Sequence, residues 1–141
     1  MMKRFVFAVM TAAVVVDMGY SQSNSNVTIP VNKTTAASGK QMFTNYCAPC
    51  HGMNGKGHGP VASSLKSPPA DLTMLSKNNN GQFPDNHIAA VLRLGTKIPS
   101  HGTPEMPIWG PILGKLDQPN PENQQLRISN LTRYLKTIQV K

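Results

Sequence analysis

The chain holds only two cysteines, and both fall within five residues, Cys47-Ala48-Pro49-Cys50-His51. No other stretch restricts the fold as much. Two thiols two residues apart, followed at once by histidine, form the attachment pattern for c-type haem. Each thiol can add across one vinyl group, and the spacing lets both sulfurs reach two vinyls on one porphyrin edge. His51 is then held close to the iron and can ligate it through a ring nitrogen. The tether keeps the haem in place whatever happens to the iron.

Two other chemistries use the same residue types. A thioredoxin-like dithiol needs a strand before the motif and a helix after it for the active thiol. Here Gly52-Met53-Asn54-Gly55-Lys56-Gly57 follows, which reads as loop. A zinc site needs further ligands, but there is no second cysteine pair and the nearby histidines lack zinc-finger spacing. Covalent haem is the reading adopted.

The N-terminus points to export. Met1-Met2-Lys3-Arg4 is basic, and Phe5 to Val16 is an apolar and small-residue run with Thr11 as its one polar member. That run is short for a membrane span and suits a signal-peptide core. Gly19-Tyr20-Ser21 offers small residues for cleavage, which places residues 1–21 as the leader. The alternative is an uncleaved anchor. A periplasmic location agrees with haem attachment, which takes place outside the cytoplasm.

Cleavage leaves 120 of 141 residues, enough for one domain with one core. Loss of Lys3, Arg4 and Asp17 takes the formal charge from +8 to +7. The lysines are scattered and no basic cluster interleaves with aromatics, so nucleic acid is not the expected partner. Scattered positive charge suits brief docking to acidic redox proteins, or serves simply as solubilising surface. The expected state is a monomer with no membrane span in the mature chain.

The pattern of elements is helical throughout. Residues 22–35, rich in Ser, Asn and Thr, read as a flexible lead-in, with the folded domain at 36–141. Ser38 caps a short helix to about Tyr46, with Met42, Phe43 and Tyr46 on one apolar face and Gly39 allowing close helix approach. Single helical turns are expected at Val61–Leu65 and Ala70–Leu75, and a turn at Asn78-Asn79-Asn80-Gly81. Asp85 caps a helix to Leu94, stopped by Gly95, with Ile88, Val91 and Leu92 inward. Pro99, Pro104, Pro107, Pro111 and Pro119 mark residues 95–119 as ordered loop. Asn120 caps the last helix and Pro121 opens it, with Ile128, Leu131, Leu135 and Ile138 as its buried stripe. No strand pattern is present, so the fold class is all-α with long Pro/Gly-rich loops.

A haem iron in a carrier takes a second axial ligand, and a thioether favours the ferrous state. Met106 leads, on a loop stiffened by Pro104 and Pro107. Met74 and His101 are the alternatives, the latter giving a bis-histidine iron. Met53 and His58 lie too near His51 in sequence to reach the opposite face easily, and His87 opens a helix. Trp109 is either a haem-pocket residue or a core aromatic. Arg93 either pairs a propionate or is an exposed helix charge.

Cys47-Ala48-Pro49-Cys50-His51-Gly52, Gly55-Lys56-Gly57-His58-Gly59-Pro60 and Leu65-Lys66-Ser67-Pro68-Pro69-Ala70-Asp71-Leu72 resemble segments of bacterial class I mono-haem cytochromes c. So do Gly102-Thr103-Pro104-Glu105-Met106-Pro107, where the family's axial methionine precedes proline, and Leu131-Thr132-Arg133-Tyr134-Leu135. One departure is His58, where similar sequences often carry an acid. The resemblance spans about residues 36–140. It implies a cytochrome c-like domain around one covalent haem c, with first and last helices crossing so that Gly39 and Phe43 meet Leu131 and Tyr134.

The function expected is a periplasmic carrier of single electrons between respiratory partners, working free or as the haem subunit of a larger oxidase or dehydrogenase. A five-coordinate haem enzyme or gas sensor would need an open iron position, against which Met106 argues. No catalytic triad, paired carboxylates or phosphate loop is visible, so an electron-transfer protein is expected rather than an enzyme.

Overall fold

The computed structural model describes residues 31–95, 105–116 and 120–141. The proposed leader, most of the lead-in, and His101 lie outside these residues. In chain order the α-helices are α1 (Gly39–Met42), α2 (Ala48–His51), α3 (Asp85–Leu94), α4 (Trp109–Gly114) and α5 (Pro121–Thr137). One turn of π-helix, Phe43–Cys47, joins α1 to α2. Among the described residues there is no strand, as the sequence pattern implies.

Each end of the domain starts with a side-chain cap. Ser38 Oγ accepts from the Gln41 N–H at 3.1 Å, and Asn120 Oδ1 accepts from the Glu122 N–H at 2.8 Å. Both satisfy amides that a helix start leaves without intrahelical partners. Pro121 occupies the first helical position, where its missing N–H costs nothing.

The core lies where α1 and its π-turn cross α5. Met42, Phe43, Tyr46, Ile128, Leu131 and Leu135 are all buried there, and the Phe43 and Tyr134 rings meet at 5.2 Å. Gly39 makes the crossing close. A Cβ at that position would lie 2.1 Å from the Asn130 carbonyl oxygen, so only glycine fits. Ile88 and Leu92 of α3 and Leu113 of α4 complete the apolar centre, while Val91 is only half-buried.

Several local expectations need correction. The first helical segment does not end near Tyr46; it continues through the cysteine motif to His51. Residues 109–114 form α4 rather than loop. Pro111 is its third residue, within the first turn, where amides have no intrahelical acceptor and proline is tolerated. Asp85 is the first residue of α3, not its cap; Pro84 holds the cap position without a side-chain bond. Ala70–Leu75 is not helical. There Asp71 Oδ1 accepts from the Thr73 N–H and hydroxyl at 2.8 and 2.6 Å, an Asx turn that competes with helix. Around residue 63 the expected turn appears as a 3₁₀ turn, Ala62–Ser64. The Asn78–Gly81 turn is present, with Asn80 and Gly81 both at positive φ.

Packing also begins earlier than Ala36. Thr34 is buried, and its hydroxyl meets the Tyr46 hydroxyl at 2.7 Å. At the other end, Gln139 Nε2 donates to the Leu72 carbonyl at 2.7 Å and the Val140 N–H to the Thr73 carbonyl at 2.9 Å. These bonds staple the chain beyond α5 onto the loop that follows the cysteine motif. Among the described residues no helix is long and apolar enough to cross a membrane.

Candidate functional site

Cys47 ends the π-turn, and Cys50 and His51 lie in α2. In helical backbone, positions three and four apart share a face. The continuation of the helix through the motif therefore puts Cys47, Cys50 and His51 side by side. π-turns inside helices recur at functional sites. Cys47 is buried, whereas Cys50 and His51 are half-buried, so the face opens outward along its length.

The two thiols sit in different environments. Burial pushes the Cys47 thiol up to about 12, with the neighbouring Cys50 adding to it. Cys50 is raised too, first by burial and then by the negative charge of Glu105. No disulfide joins the two cysteines. Neither has the depressed pKa of a redox-active dithiol.

His51 is oriented from behind. Its Nδ1 lies 2.9 Å from the Ala70 carbonyl oxygen. A carbonyl can only accept, so Nδ1 carries the proton. Burial holds the ring's pKa below its ordinary value, with the Ala70 bond acting weakly in the other direction. That shift favours the uncharged ring, in which Nε2 keeps its lone pair.

The glycine loop after the motif folds back on it. Gly57 N–H donates to the His51 carbonyl at 2.8 Å, Gly59 N–H to the Cys50 carbonyl at 2.9 Å, and Val61 N–H to the Pro49 carbonyl at 3.0 Å. These are the carbonyls that the end of α2 leaves without partners. Gly57, at φ +85°, passes so near residue 69 that a Cβ would lie 2.3 Å from the Pro69 carbonyl oxygen. The loop thus ties the motif to the Pro68-Pro69-Ala70 segment that orients His51.

Met106 is half-buried and packs against the core. The carboxylate of the preceding Glu105 accepts from the Lys66 N–H at 2.8 Å and the Ser67 N–H at 3.3 Å. Three residues beyond Met106, Trp109 is buried and stacks on Tyr46 with centroids 5.6 Å apart. Trp109 is therefore a core aromatic. Met74 is half-buried, while Met53 and His58 are exposed. His87 is the third residue of α3 and is half-buried. Arg93 is an exposed helix charge that donates to Gln125 at 2.6 Å.

Sequence reasoning missed two residues that hold this arrangement. One is Glu105, whose bonds span 38 and 39 positions. The other is Arg127, fully buried, which donates to the Thr34 carbonyl and hydroxyl at 2.8 and 3.0 Å. The signal for Arg127 was its place four residues before Leu131, on the buried face.

The donor set fits a tethered porphyrin. Two neighbouring thiols share a helix face with an imidazole whose free nitrogen is a lone-pair donor. Among the described residues no group of three or more His, Cys, Asp or Glu is placed to hold a bare metal ion. Comparison with curated proteins and with solved structures gave no match. The family model for cytochrome c matches residues 36–139, nearly the whole folded part of the chain. The chain belongs to the cytochrome c family, whose members bind covalently attached haem c with its iron.

Proposed function

We propose that this protein is a periplasmic electron carrier of the bacterial class I mono-haem type, exported on residues 1–21. Cys47 and Cys50 would carry the thioether links to haem c, and His51 and Met106 would ligate its iron. Bound haem supplies an iron that alternates between ferrous and ferric states.

The contact between His51 Nδ1 and the Ala70 carbonyl carries this reading. Metal-ligating histidines donate their second ring N–H to such an acceptor, which fixes tautomer and ring plane and leaves the other nitrogen for the metal. Burial keeps the ring neutral, the form that ligates. Met106 is supported by its half-buried place on a segment anchored on both sides, by Glu105 upstream and Trp109 downstream. With both His51 and Met106 ligating, the iron would offer no open position for substrate, which favours a carrier over an enzyme or sensor. The partners are redox proteins met in brief encounters, as a free carrier or as the haem subunit of an oxidase or dehydrogenase. The positive charge of the chain suits an acidic docking face.

The test is absorption spectroscopy of holoprotein matured with haem-attachment machinery, beside Met106→Ala. The weak near-infrared charge-transfer band of ferric iron bound to thioether is expected in wild type and absent in the variant. A band that survives the substitution would move the ligand to Met74 or another residue. A high-spin iron that binds carbon monoxide readily would favour a sensor or enzyme.

A further inference from the structure

The geometry points to Glu105 as a positioning residue for Met106: its carboxylate clasps the Lys66–Ser67 backbone and so holds the thioether segment in place. This rests on the reading of Met106 as an axial ligand.

Both carboxylate oxygens are engaged, Oε1 with the Lys66 N–H at 2.8 Å and Oε2 with the Ser67 N–H at 3.3 Å. Hydrogen bonds from amides to an ionised carboxylate are roughly twice as strong as neutral ones. The clasped segment is also the one that orients His51. Ala70, three residues past Ser67, accepts from His51 Nδ1. Pro68 and Pro69 between them have fixed φ and make the connection stiff. A single short bridge, residues 66–70, is thus gripped at one end by the neighbour of Met106 and at the other by His51. The spacing between the two ligand-bearing segments is set by that bridge. Downstream, Trp109 packs on Tyr46 and secures the other flank of Met106. Removing the clasp loosens one flank of Met106, so its bond to iron should open more often.

The test uses holoprotein: wild type, Glu105→Ala, Glu105→Gln and Met106→Ala. Three readouts are taken: the near-infrared thioether band, amide hydrogen exchange at Lys66 and Ser67, and the rate at which ferric protein captures cyanide. Capture requires the sixth ligand to leave. Glu105→Ala should lose protection at both amides and capture cyanide about tenfold faster or more, the scale of one lost charged hydrogen bond. The band should weaken on warming earlier than in wild type. Glu105→Gln, which keeps the shape and one carbonyl acceptor, should fall between the two, and it keeps the test open if the alanine variant folds poorly. Wild-type amide protection and capture rate in Glu105→Ala, with a Met106-dependent band present, would overturn the clasp and leave the ligand reading intact. A wild-type spectrum with no Met106-dependent band would overturn both, and the exchange data would show whether the clasp exists without a ligand to position.

Discussion

Arg127 of α5 reaches Thr34, 93 positions earlier in the chain, with Nη2 on the Thr34 carbonyl at 2.8 Å and Nη1 on its hydroxyl at 3.0 Å. The arginine is fully buried, and its Nη1 also lies 3.8 Å from Met42 Sδ. The Thr34 hydroxyl passes the contact on to Tyr46, which stacks on Trp109. A polar string thus runs through the core from the last helix to the flank of the Met106 segment.

Arg127→Met keeps much of the volume but leaves the Thr34 carbonyl without its donor, while the Thr34 hydroxyl keeps its contact with Tyr46. A buried polar group stripped of its partner costs about 1–3 kcal/mol. Guanidinium unfolding of the oxidised holoprotein should show a lower midpoint, with the unfolding free energy reduced by that amount. An unchanged midpoint would mean that the arginine adds nothing to stability.

Gly39→Ala tests the helix crossing by the sign of its effect. In an exposed helix this change would stabilise by about 1 kcal/mol. Here the new methyl meets the Asn130 carbonyl oxygen at 2.1 Å and Tyr134 Cβ at 2.8 Å. The helices must separate, and overpacking of this kind costs about 1–3 kcal/mol. A loss in thermal melts supports the close crossing, and a gain refutes it.

Asp71 predicts an acid limb in stability. Its bonds from Thr73 hold its carboxyl below the ordinary 3.8. A carboxylate with a depressed folded pKa adds stability above its unfolded value and loses it as pH falls through the folded one. Asp71→Asn keeps an acceptor oxygen but cannot titrate. Melting temperatures of the two proteins should differ near pH 6 and converge as pH falls below 3.8. Parallel curves across that range would remove Asp71 from the acid response.

The ion pair between Asp85 and Lys136, 2.9 Å long, should matter little. Both side chains are about half exposed, at 50 % and 54 %. Such pairs give at most about 1 kcal/mol and are screened by salt. Lys136 also sits 5.7 Å from the Phe83 ring centre, a contact that adds little at an exposed site. A double-mutant cycle on Asp85 and Lys136 in low and high salt should find a small coupling that fades with salt.

The motif, both capped helix starts, the apolar stripe of α5 and the need for glycine at residue 39 were all legible in sequence. Each depends on residues within a few positions of one another, or on one residue whose chemistry allows few uses. Ser38 and Asn120 act on amides two or three residues away. Ile128, Leu131 and Leu135 show their common face by spacing alone. α4 was not legible, because proline in a short segment reads as a breaker until its place in the first turn is known.

By itself the sequence determined the cofactor class and the helical class. Two thiols and an imidazole in five residues need no distant partner to declare their use, and helix periodicity is a local property. Only the tertiary structure decided which carbonyl orients His51, that Glu105 clasps the residue 66–67 backbone, and that Arg127 is buried. These are pairings 19, 38 to 39 and 93 positions apart. A charged residue alone reads as surface, and an acidic one beside a methionine reads as nothing in particular. Their roles exist only after chain packing removes water from the arginine and brings a carboxylate to two backbone amides.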